Sequence, residues 1–382
     1  MRSYTYYIYS TLALWLCCSC IDEFEADLPD SDAVVLCVEG TIRSNADCAF
    51  FLSHSIPLHP DDDDPLASDF AVYGATIAVA GSNGERWNAP DGSHVVSVGT
   101  LDPASQYWLE VTWQGNTYTS TPLQPLPTPD IGQLSWGMAV DGQHVSIMVT
   151  PAAAAADRQY FRWEYEETWE VHTPLRAVFD YNPATDAIVP AATILSVGWA
   201  SSYSHPSIYG TNENYQSGQI RNLVLYNTDK DENRFNHRYY TRVTQTAISR
   251  EEYEYERLST QLSDEMGGLF TPQPSALPTN IRCQTADVRA IGYVGVSLNS
   301  SSAHLYINRE EVGHREKRLP VIAETEFVNS HTWNELWTLG WRVYEYHPEF
   351  APPVKWASRW CVDCTAPYWG ASLIRPAFWE DK

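Results

Sequence analysis

Two cysteines near the end of the chain have the spacing of a reactive pair. Cys361 and Cys364 form a C-x-x-C sequence, which occurs in redox-active disulfides and in one half of many zinc sites. A redox pair needs a helix N-terminus that lowers the pKa of the first thiol. The surrounding sequence shows none, Asp363 opposes thiolate formation, and no second C-x-x-C completes a zinc site. We therefore expect a structural disulfide, either within this pair or from one of them to Cys283.

Oxygen-bearing side chains alternate between residues 227 and 233 with the spacing of ligands in a calcium loop. They are Asn227, Asp229, Asp231 and Asn233. An EF-type loop also requires glycine at its sixth position and glutamate at its twelfth, where this chain has Glu232 and Arg238. The run Asp61–Asp64, with His54 and His59 nearby, could collect a divalent cation, but adjacent carboxylates in a loop are usually solvated. The sequence therefore predicts no metal and no cofactor.

Three glutamates alternate along a predicted strand and could supply the two carboxylates that glycoside hydrolysis needs. They are Glu164, Glu166 and Glu170. Alternating acids are also typical of the solvated face of a sheet. The sequence contains no G-x-S-x-G, H-E-x-x-H, P-loop or G-x-G-x-x-G motif. No catalytic residue is assigned, although the members of a dispersed triad need not be close along the chain.

Aromatic side chains are concentrated toward the end of the chain. They are Trp333, Trp337, Trp341, Trp356, Trp360, Tyr368, Trp369 and Trp379. Exposed Trp and Tyr can stack on sugars or anchor a protein contact. We expect most of this set to lie in the core or to hold the tail in place, and a minority to face a ligand.

Side-chain patterns predict the elements that must position these residues. From Phe161 to Val171, aromatic and apolar residues alternate with polar ones, which indicates a strand with one packed face and one acidic, solvated face. One helix is clearly encoded. Ser249 is its predicted N-cap, Glu252 completes a capping box and Gly267-Gly268 ends it, so we expect it to run from about residue 250 to 266.

The composition favours strands and tight turns, since 13% of residues are aromatic and the chain has 24 Pro and 20 Gly. We expect a mostly β fold, with an N-terminal immunoglobulin-like or transthyretin-like β-sandwich followed by a larger β-rich domain with one clear α-helix. The predicted segments are a signal peptide (1–19), an acidic tether (20–32), the sandwich (33–121), a proline-rich linker (122–130), the second domain (131–350) and a tail rich in Cys and Trp (351–382).

The first twenty residues have the features of a secretory signal. Arg2 precedes an apolar run of about half the length that a membrane helix requires, and Ser19 stands directly before Cys20. This arrangement and the acidic stretch that follows resemble a bacterial lipoprotein cleavage site, so we expect Cys20 to carry the lipid. The alternative is a plain secretory signal that is cleaved elsewhere and leaves Cys20 free.

Outside the cytoplasm cysteines oxidise, which makes the remaining ones disulfide candidates. They are Cys37, Cys48, Cys283, Cys361 and Cys364. Because their number is odd, at least one stays free or pairs between chains. Cys37 and Cys48 lie in adjacent predicted strands and could pair if they face each other.

The formal net charge of -24 excludes nucleic acid as a partner, since phosphate recognition needs clustered Lys and Arg.

Four stretches resemble a family of Bacteroidetes outer-membrane lipoproteins, domain of unknown function 4249. They are SCIDEFEADLPDSDAVVLCVEGTI, YFRWEYEETWEV, SREEYEYERLSTQLSDEMGGLFTPQPSALPTNI and CVDCTAPYWGASLIRPAFW. The resemblance implies a lipid-anchored envelope protein, commonly associated with TonB-dependent transporters, and brings no established activity and no catalytic residues.

The leading hypothesis is a non-enzymatic, lipid-anchored outer-membrane protein that assists a TonB-dependent transporter in capturing or presenting a nutrient. An envelope hydrolase acting on glycans or peptides is the main alternative, and a structural or assembly factor of the outer membrane is a third. In each of these hypotheses the protein is lipid-anchored at the outer membrane, either on its periplasmic face or exposed at the cell surface.

Overall fold

The computed structural model describes residues 34–56, 66–152, 158–204, 207–265, 277–314, 323–328, 333–350 and 353–380. The predicted signal peptide, the tether, Cys20, His59 and the run Asp61–Asp64 lie outside these residues. The described part is mostly β and has one long helix. This confirms the predicted fold class.

The strands up to residue 172 are β1 (Leu36–Arg43), β2 (Ala46–His54), β3 (Thr76–Gly81), β4 (Arg86–Asn88), β5 (Val95–Val98), β6 (Tyr107–Trp113), β7 (Asn116–Ser120), β8 (Ile131–Met138), β9 (His144–Pro151) and β10 (Tyr160–His172). Those up to residue 248 are β11 (Phe179–Asn182), β12 (Ala187–Pro190), β13 (Val197–Tyr203), β14 (Ile208–Thr211), β15 (Leu223–Asp229) and β16 (Arg238–Ile248). The later strands are β17 (Ile281–Cys283), β18 (Ala290–Ile291), β19 (Val294–Ser297), β20 (Ser301–Asn308), β21 (Ala323–Val328), β22 (Trp341–Tyr346) and β23 (Val354–Ser358). The helices are α1 (Arg250–Glu265), α2 (Arg309–Val312), α3 (Trp333–Thr338) and α4 (Arg359–Val362).

Two sheets form the first β-sandwich. One has the order β18-β1-β2-β5, with β19 also paired to β1, and the other has the order β17-β7-β6-β3-β4. Their inner faces share one core that includes Leu36, Val79 and Tyr107. Strands β17 to β19 come from residues 281–297, which the predicted division assigns to the second domain. The first sandwich therefore contains more than the stretch 33–121, while the domain boundaries stay a prediction.

A second sandwich packs the sheet β13-β10-β16-β20, with β14 also on β10, against the sheet β15-β9-β8. The alternation along β10 explains which face is buried: Phe161 and Trp163 are fully enclosed, whereas Glu164 is exposed. A smaller unit combines the hairpin β11-β12 with the sheet β21-β23-β22, and its core contains Trp333 and Trp356.

Helix α1 begins where the capping residues predict. Ser249 Oγ accepts a hydrogen bond from the Glu252 N–H at 3.0 Å, and Ser249 O accepts one from the Tyr253 N–H at 3.0 Å. The helix packs against β10 and β14, and the Tyr255 hydroxyl donates to the Glu39 carboxylate on β1. It thus contacts both sandwiches. Its predicted end at residue 266 lies just outside the described residues.

The C-terminal tail crosses the outer face of the second sandwich. Ser372 pairs with Trp199 on β13, and the Phe378 ring stacks on Tyr240 of β16 at 4.3 Å. The tail therefore covers part of the sheet face that the sequence assigns to solvent. None of the helices in the described ranges has the length and apolar character to cross a membrane.

Candidate functional site

A polar cleft of about 300 Å³ lies at one edge of the second sandwich. Strand β10 ends there, β16 begins there and β20 passes into α2 there, because neighbouring strands of this sheet are antiparallel. We name it the histidine cleft and define it by Glu170, His172, His237, Arg238, Glu310 and Trp379. Three chain segments that are distant in sequence thus place charged groups and imidazoles side by side.

Two histidines stack in this cleft. The rings of His172 and His237 lie 3.8 Å apart at an angle of 26°, and His172 Nε2 is 2.6 Å from Glu170 Oε1. The hydrogen bond with His172 lowers the pKa of Glu170, and although partial burial opposes this, the charges of His172, His237 and Arg238 lower it further. Glu170 is therefore held as a carboxylate that orients the His172 ring.

The tail forms the opposite wall of the histidine cleft. The Arg238 guanidinium lies 4.2 Å from the centre of the Tyr306 ring, and its Nη1 donates to Glu380 O at 2.6 Å. Trp379 packs edge-on against Tyr306 at 5.9 Å and is 7% exposed. Cation–π and aromatic contacts thus fix the tail to β20 and β16.

A buried ion pair fixes the turn that leads into the histidine cleft. Arg234 Nη1 donates to both carboxylate oxygens of Glu167, at 2.9 and 2.8 Å, and the Tyr239 hydroxyl donates to the same carboxylate. Glu167 is 3% exposed. Arg234 lies in a 3₁₀ turn, Asn233–Phe235, which directly precedes Asn236 and His237. The pair therefore fastens this turn to β10.

Sequence reasoning missed Glu167, although a signal was present. It occupies an odd position in the run from Phe161 to Val171, where the neighbouring odd positions are aromatic or apolar. An acid on the packed face of a strand needs a buried partner, because an unpaired buried charge is very unfavourable. That partner, Arg234, comes from a distant loop.

The three glutamates proposed from sequence have different surroundings. Glu170 lines the histidine cleft, Glu166 is paired with Arg242 Nε at 2.9 Å, and Glu164 is exposed. Only one of the three lines this cleft. The structure thus brings no carboxylate pair from this set into it.

The alternating Asn and Asp side chains do not form a calcium loop. Asn227 and Asp229 lie in the extended strand β15. Asn227 Oδ1 accepts from Ser146 Oγ at 2.7 Å, and Asp229 Oδ1 accepts from the Asp231 N–H at 2.8 Å. Within the described residues, no group of three or more His, Cys, Asp or Glu could hold a metal ion. His54 stacks on Trp113 at 5.5 Å.

The five described cysteines are not joined to one another by disulfides: Cys37, Cys48, Cys283, Cys361 and Cys364. The register explains why the two in the first hairpin do not meet. Cys37 is opposite Ser53 and half-buried on the side of helix α1, whereas Cys48 is opposite Val96 and buried in the sandwich core. Cys283 also packs on that core, so it does not reach the tail.

The two tail cysteines pack into different clusters. Cys361 lies with Ala357 and Val362, and Cys364 lies with Val171 and Ala200. Burial, with a smaller effect from the Asp363 charge, raises the pKa of the Cys364 thiol to about 11. A thiol that remains protonated is a poor nucleophile and a poor metal ligand. The environment of Cys364 therefore favours a packing role.

Most of the tail aromatics are structural. Trp333 and Trp356 belong to the core of the small unit, Trp369 Nε1 donates to Trp360 O at 2.7 Å, and Tyr368 is exposed. Of the predicted aromatic set, Trp379 is the member that lines the histidine cleft.

A family model described as "Domain of unknown function (DUF4249)" matches residues 21–303 of the chain. No curated protein matches the chain. The matched range contains Glu170, His172, His237 and Arg238, whereas the wall formed by Trp379 and Glu380 comes from residues beyond that range.

Proposed function

The chain belongs to the DUF4249 family, and from this membership we propose that it is a non-enzymatic binding protein, anchored in the outer membrane through a lipid on Cys20. In this proposal it assists a TonB-dependent transporter by capturing a nutrient. The leader sequence supports the anchor, and the resemblance to Bacteroidetes lipoproteins supports the transporter.

The histidine cleft is the observation that carries the binding role. Its volume of about 300 Å³ gives room for a small polar molecule such as a sugar or a dipeptide. Imidazole, guanidinium, amide and carboxylate groups line the cleft, so it offers both hydrogen-bond donors and hydrogen-bond acceptors. The pair Glu167–Arg234 fixes the turn that directly precedes Asn236 and His237. A site built in advance loses less conformational entropy when it binds.

The chemistry of the lining favours binding over hydrolysis. Among the residues that line this cleft, none is Ser, Thr, Cys or Lys, so it offers no hydroxyl or thiol nucleophile. Glu170 is held ionised by His172, so it is poorly suited to be the protonated carboxyl that a glycosidase needs as its general acid. The hydrolase alternative therefore has less support than the binding role.

The test is affinity capture of the intact, lipid-bearing protein from solubilised outer membranes. We expect a TonB-dependent transporter to co-purify, and we expect the Cys20→Ser variant to lose that partner together with its membrane association. Capture of outer-membrane assembly machinery instead would favour the assembly factor. Cleavage of a glycan or a peptide by the purified protein, abolished in Glu170→Gln, would replace the proposal with the hydrolase.

A further inference from the structure

Helix α1 and strands β1, β10 and β14 contribute a cluster of acidic side chains around one arginine. We name it the acidic junction and define it by Glu39, Arg162, Tyr209, Glu252 and Glu256. Glu252 is 5% exposed, and the side chain of Arg162 is 13% exposed. The cluster lies between the two sandwiches, so its charge state acts on the contact between them.

Arg162 is bound only loosely to its acidic neighbours. Its Nη1 donates to Thr41 Oγ1 at 3.0 Å but lies 3.6 Å from Glu252 Oε1, and its buried Nε has no hydrogen-bond partner in the described structure. The other two glutamates are held by tyrosines: Tyr209 donates to Glu256, and Tyr255 donates to Glu39. The cluster as defined thus contains one guanidinium and three carboxylates, of which Glu252 and Glu256 interact with Arg162 and Glu39 interacts with Glu256.

Full ionisation would leave this partly buried cluster, with the buried Glu252 at its centre, with a surplus of two negative charges. Such a surplus is strongly unfavourable away from water. The nearby groups do not remove it, because those that the described structure places around the cluster, on the other elements and at the start of the helix, are hydroxyls, a thiol or further acids. They are Cys37 on β1, Glu164 on β10, Tyr293 before β19, and Ser249, Glu251 and Tyr255 at the start of the helix.

Glu252 is the member that responds to pH. Burial raises the pKa of its carboxyl to about 7, because the opposing effect of Arg162 is smaller and the Glu256 charge adds to the rise. Burial raises the pKa of Glu256 as well. A carboxyl with a raised pKa binds its proton more tightly when the helix is docked. Docking is therefore most favourable at acidic pH and weakens as the pH rises toward 7.

The packing around Glu252 prevents its side chain from moving away from the other carboxylates. Its carboxylate lies against the backbone of Gly295 on β19, and the peptide N–H of Ser249 donates to it as part of the capping box. When Glu252 ionises, the side chain cannot swing to solvent while the helix stays in place.

We propose that the acidic junction is a pH-sensitive switch, in which a proton on Glu252 lets helix α1 bridge the two sandwiches and loss of that proton loosens the bridge. The group that the switch senses is the buried carboxyl, and the element that moves is α1. This inference is independent of the ligand of the histidine cleft and of any membrane partner.

Hydrogen exchange of the α1 amides, expressed as protection factors from pH 5 to pH 8, tests the switch in the full-length protein. We expect protection to fall by a factor on the order of 50 across this range, because the opened helix releases a proton that the docked one holds. Glu252→Gln keeps an amide that can complete the capping box, and we expect its α1 protection to vary much less with pH than that of the wild type, with Glu256 as the source of the dependence that remains. Glu251→Gln, which removes an exposed acid from the same turn, is the matched control and should behave like the wild type.

Two outcomes would overturn the switch. One is α1 protection in the wild type that stays constant from pH 5 to pH 8, which needs no variant to interpret. The other is a pH dependence that persists unchanged in Glu252→Gln. Infrared difference spectra provide a second readout: a protonated carboxyl band should disappear near pH 7 in the wild type and in Glu251→Gln.

Discussion

The carboxylate of Glu252 occupies the space that a side chain at Gly295 would need. A Cβ atom on Gly295 would come within 2.3 Å of Glu252 Oε2. Gly295 lies in β19, directly opposite Thr41 of β1, so the first sandwich leaves a gap that the capping glutamate of the helix fills. Helix α1, which packs on the second sandwich, therefore requires a glycine at position 295 of the first sandwich.

Gly295→Ala should destabilise the protein, because the added methyl group forces the Glu252 carboxylate from its site. Overpacking of this kind costs about 1 to 3 kcal/mol, which thermal denaturation at pH 6 would detect as a lower Tm. Gly137→Ala is the control, since its Cβ would meet only the flexible end of Met148, at 3.3 Å. An equal effect of both changes would contradict the close fit at Gly295.

Ser249→Ala should cost about 1 kcal/mol of unfolding free energy, because the Glu252 N–H loses its acceptor in a partly buried position. Ser249→Thr keeps a capping hydroxyl, so its free energy of unfolding should be close to that of the wild type. Urea denaturation of the three proteins measures the difference. Equal destabilisation by Ala and Thr would show that the capping bond is not the cause.

Arg234→Met should be much more damaging than loss of a surface ion pair, since it leaves the buried Glu167 carboxylate without its cationic partner and with only the Tyr239 hydroxyl as a donor. We expect a loss of about 3 kcal/mol. Arg86→Met removes the exposed pair with Glu110 and should cost less than about 1 kcal/mol. The denaturant midpoints of the two variants measure these losses. If both losses are small and similar, the Glu167–Arg234 pair does not stabilise the histidine cleft.

Cys20→Ser should release the protein from the membrane fraction, because the lipid would have no attachment site. Metabolic labelling with a fatty acid, followed by fractionation, measures both effects. The anchor assignment fails if the wild type carries no lipid label, or if the Ser variant remains membrane-bound.

Cys364 should resist alkylation in the folded protein. With its pKa raised to about 11 by burial, the thiolate fraction at pH 8 is on the order of a hundredfold below that of an exposed cysteine. Iodoacetamide labelling with peptide mapping, before and after unfolding in urea, measures the ratio. Rapid labelling of Cys364 in the folded state would instead favour redox chemistry at the C-x-x-C sequence.

Local patterns predicted the elements well. Ser249 and Glu252 mark the start of α1 because capping involves residues within one turn. Phe161 and Trp163 fall on the buried face of β10 because side chains alternate along any strand. These signals are short in range, so the sequence alone contains them.

Contacts between distant segments could not be predicted in this way. The sequence gives no reason for Arg234 to meet Glu167 or for Gly295 to receive Glu252, since each pair forms only after separate strands have joined. The same limit applies to the cysteines. Their spacing permits several pairings, whereas the register places Cys37 opposite Ser53. The tail sequence is rich in Cys and Trp, but its role as a wall of the histidine cleft depends on tertiary contacts to Tyr306 and Tyr240.

The pairing of β1 with β18 and β19 has a consequence for how the chain folds. Leu36 meets Ala290, so the first sandwich joins segments separated by about 250 residues, and closing such a loop costs entropy before any contact compensates. Until residues 290–297 emerge during synthesis, β1 has an open hydrogen-bonding edge, which is a site of mispairing in β proteins. We therefore expect the first sandwich to complete its folding late and slowly, after residues 290–297 have been synthesised.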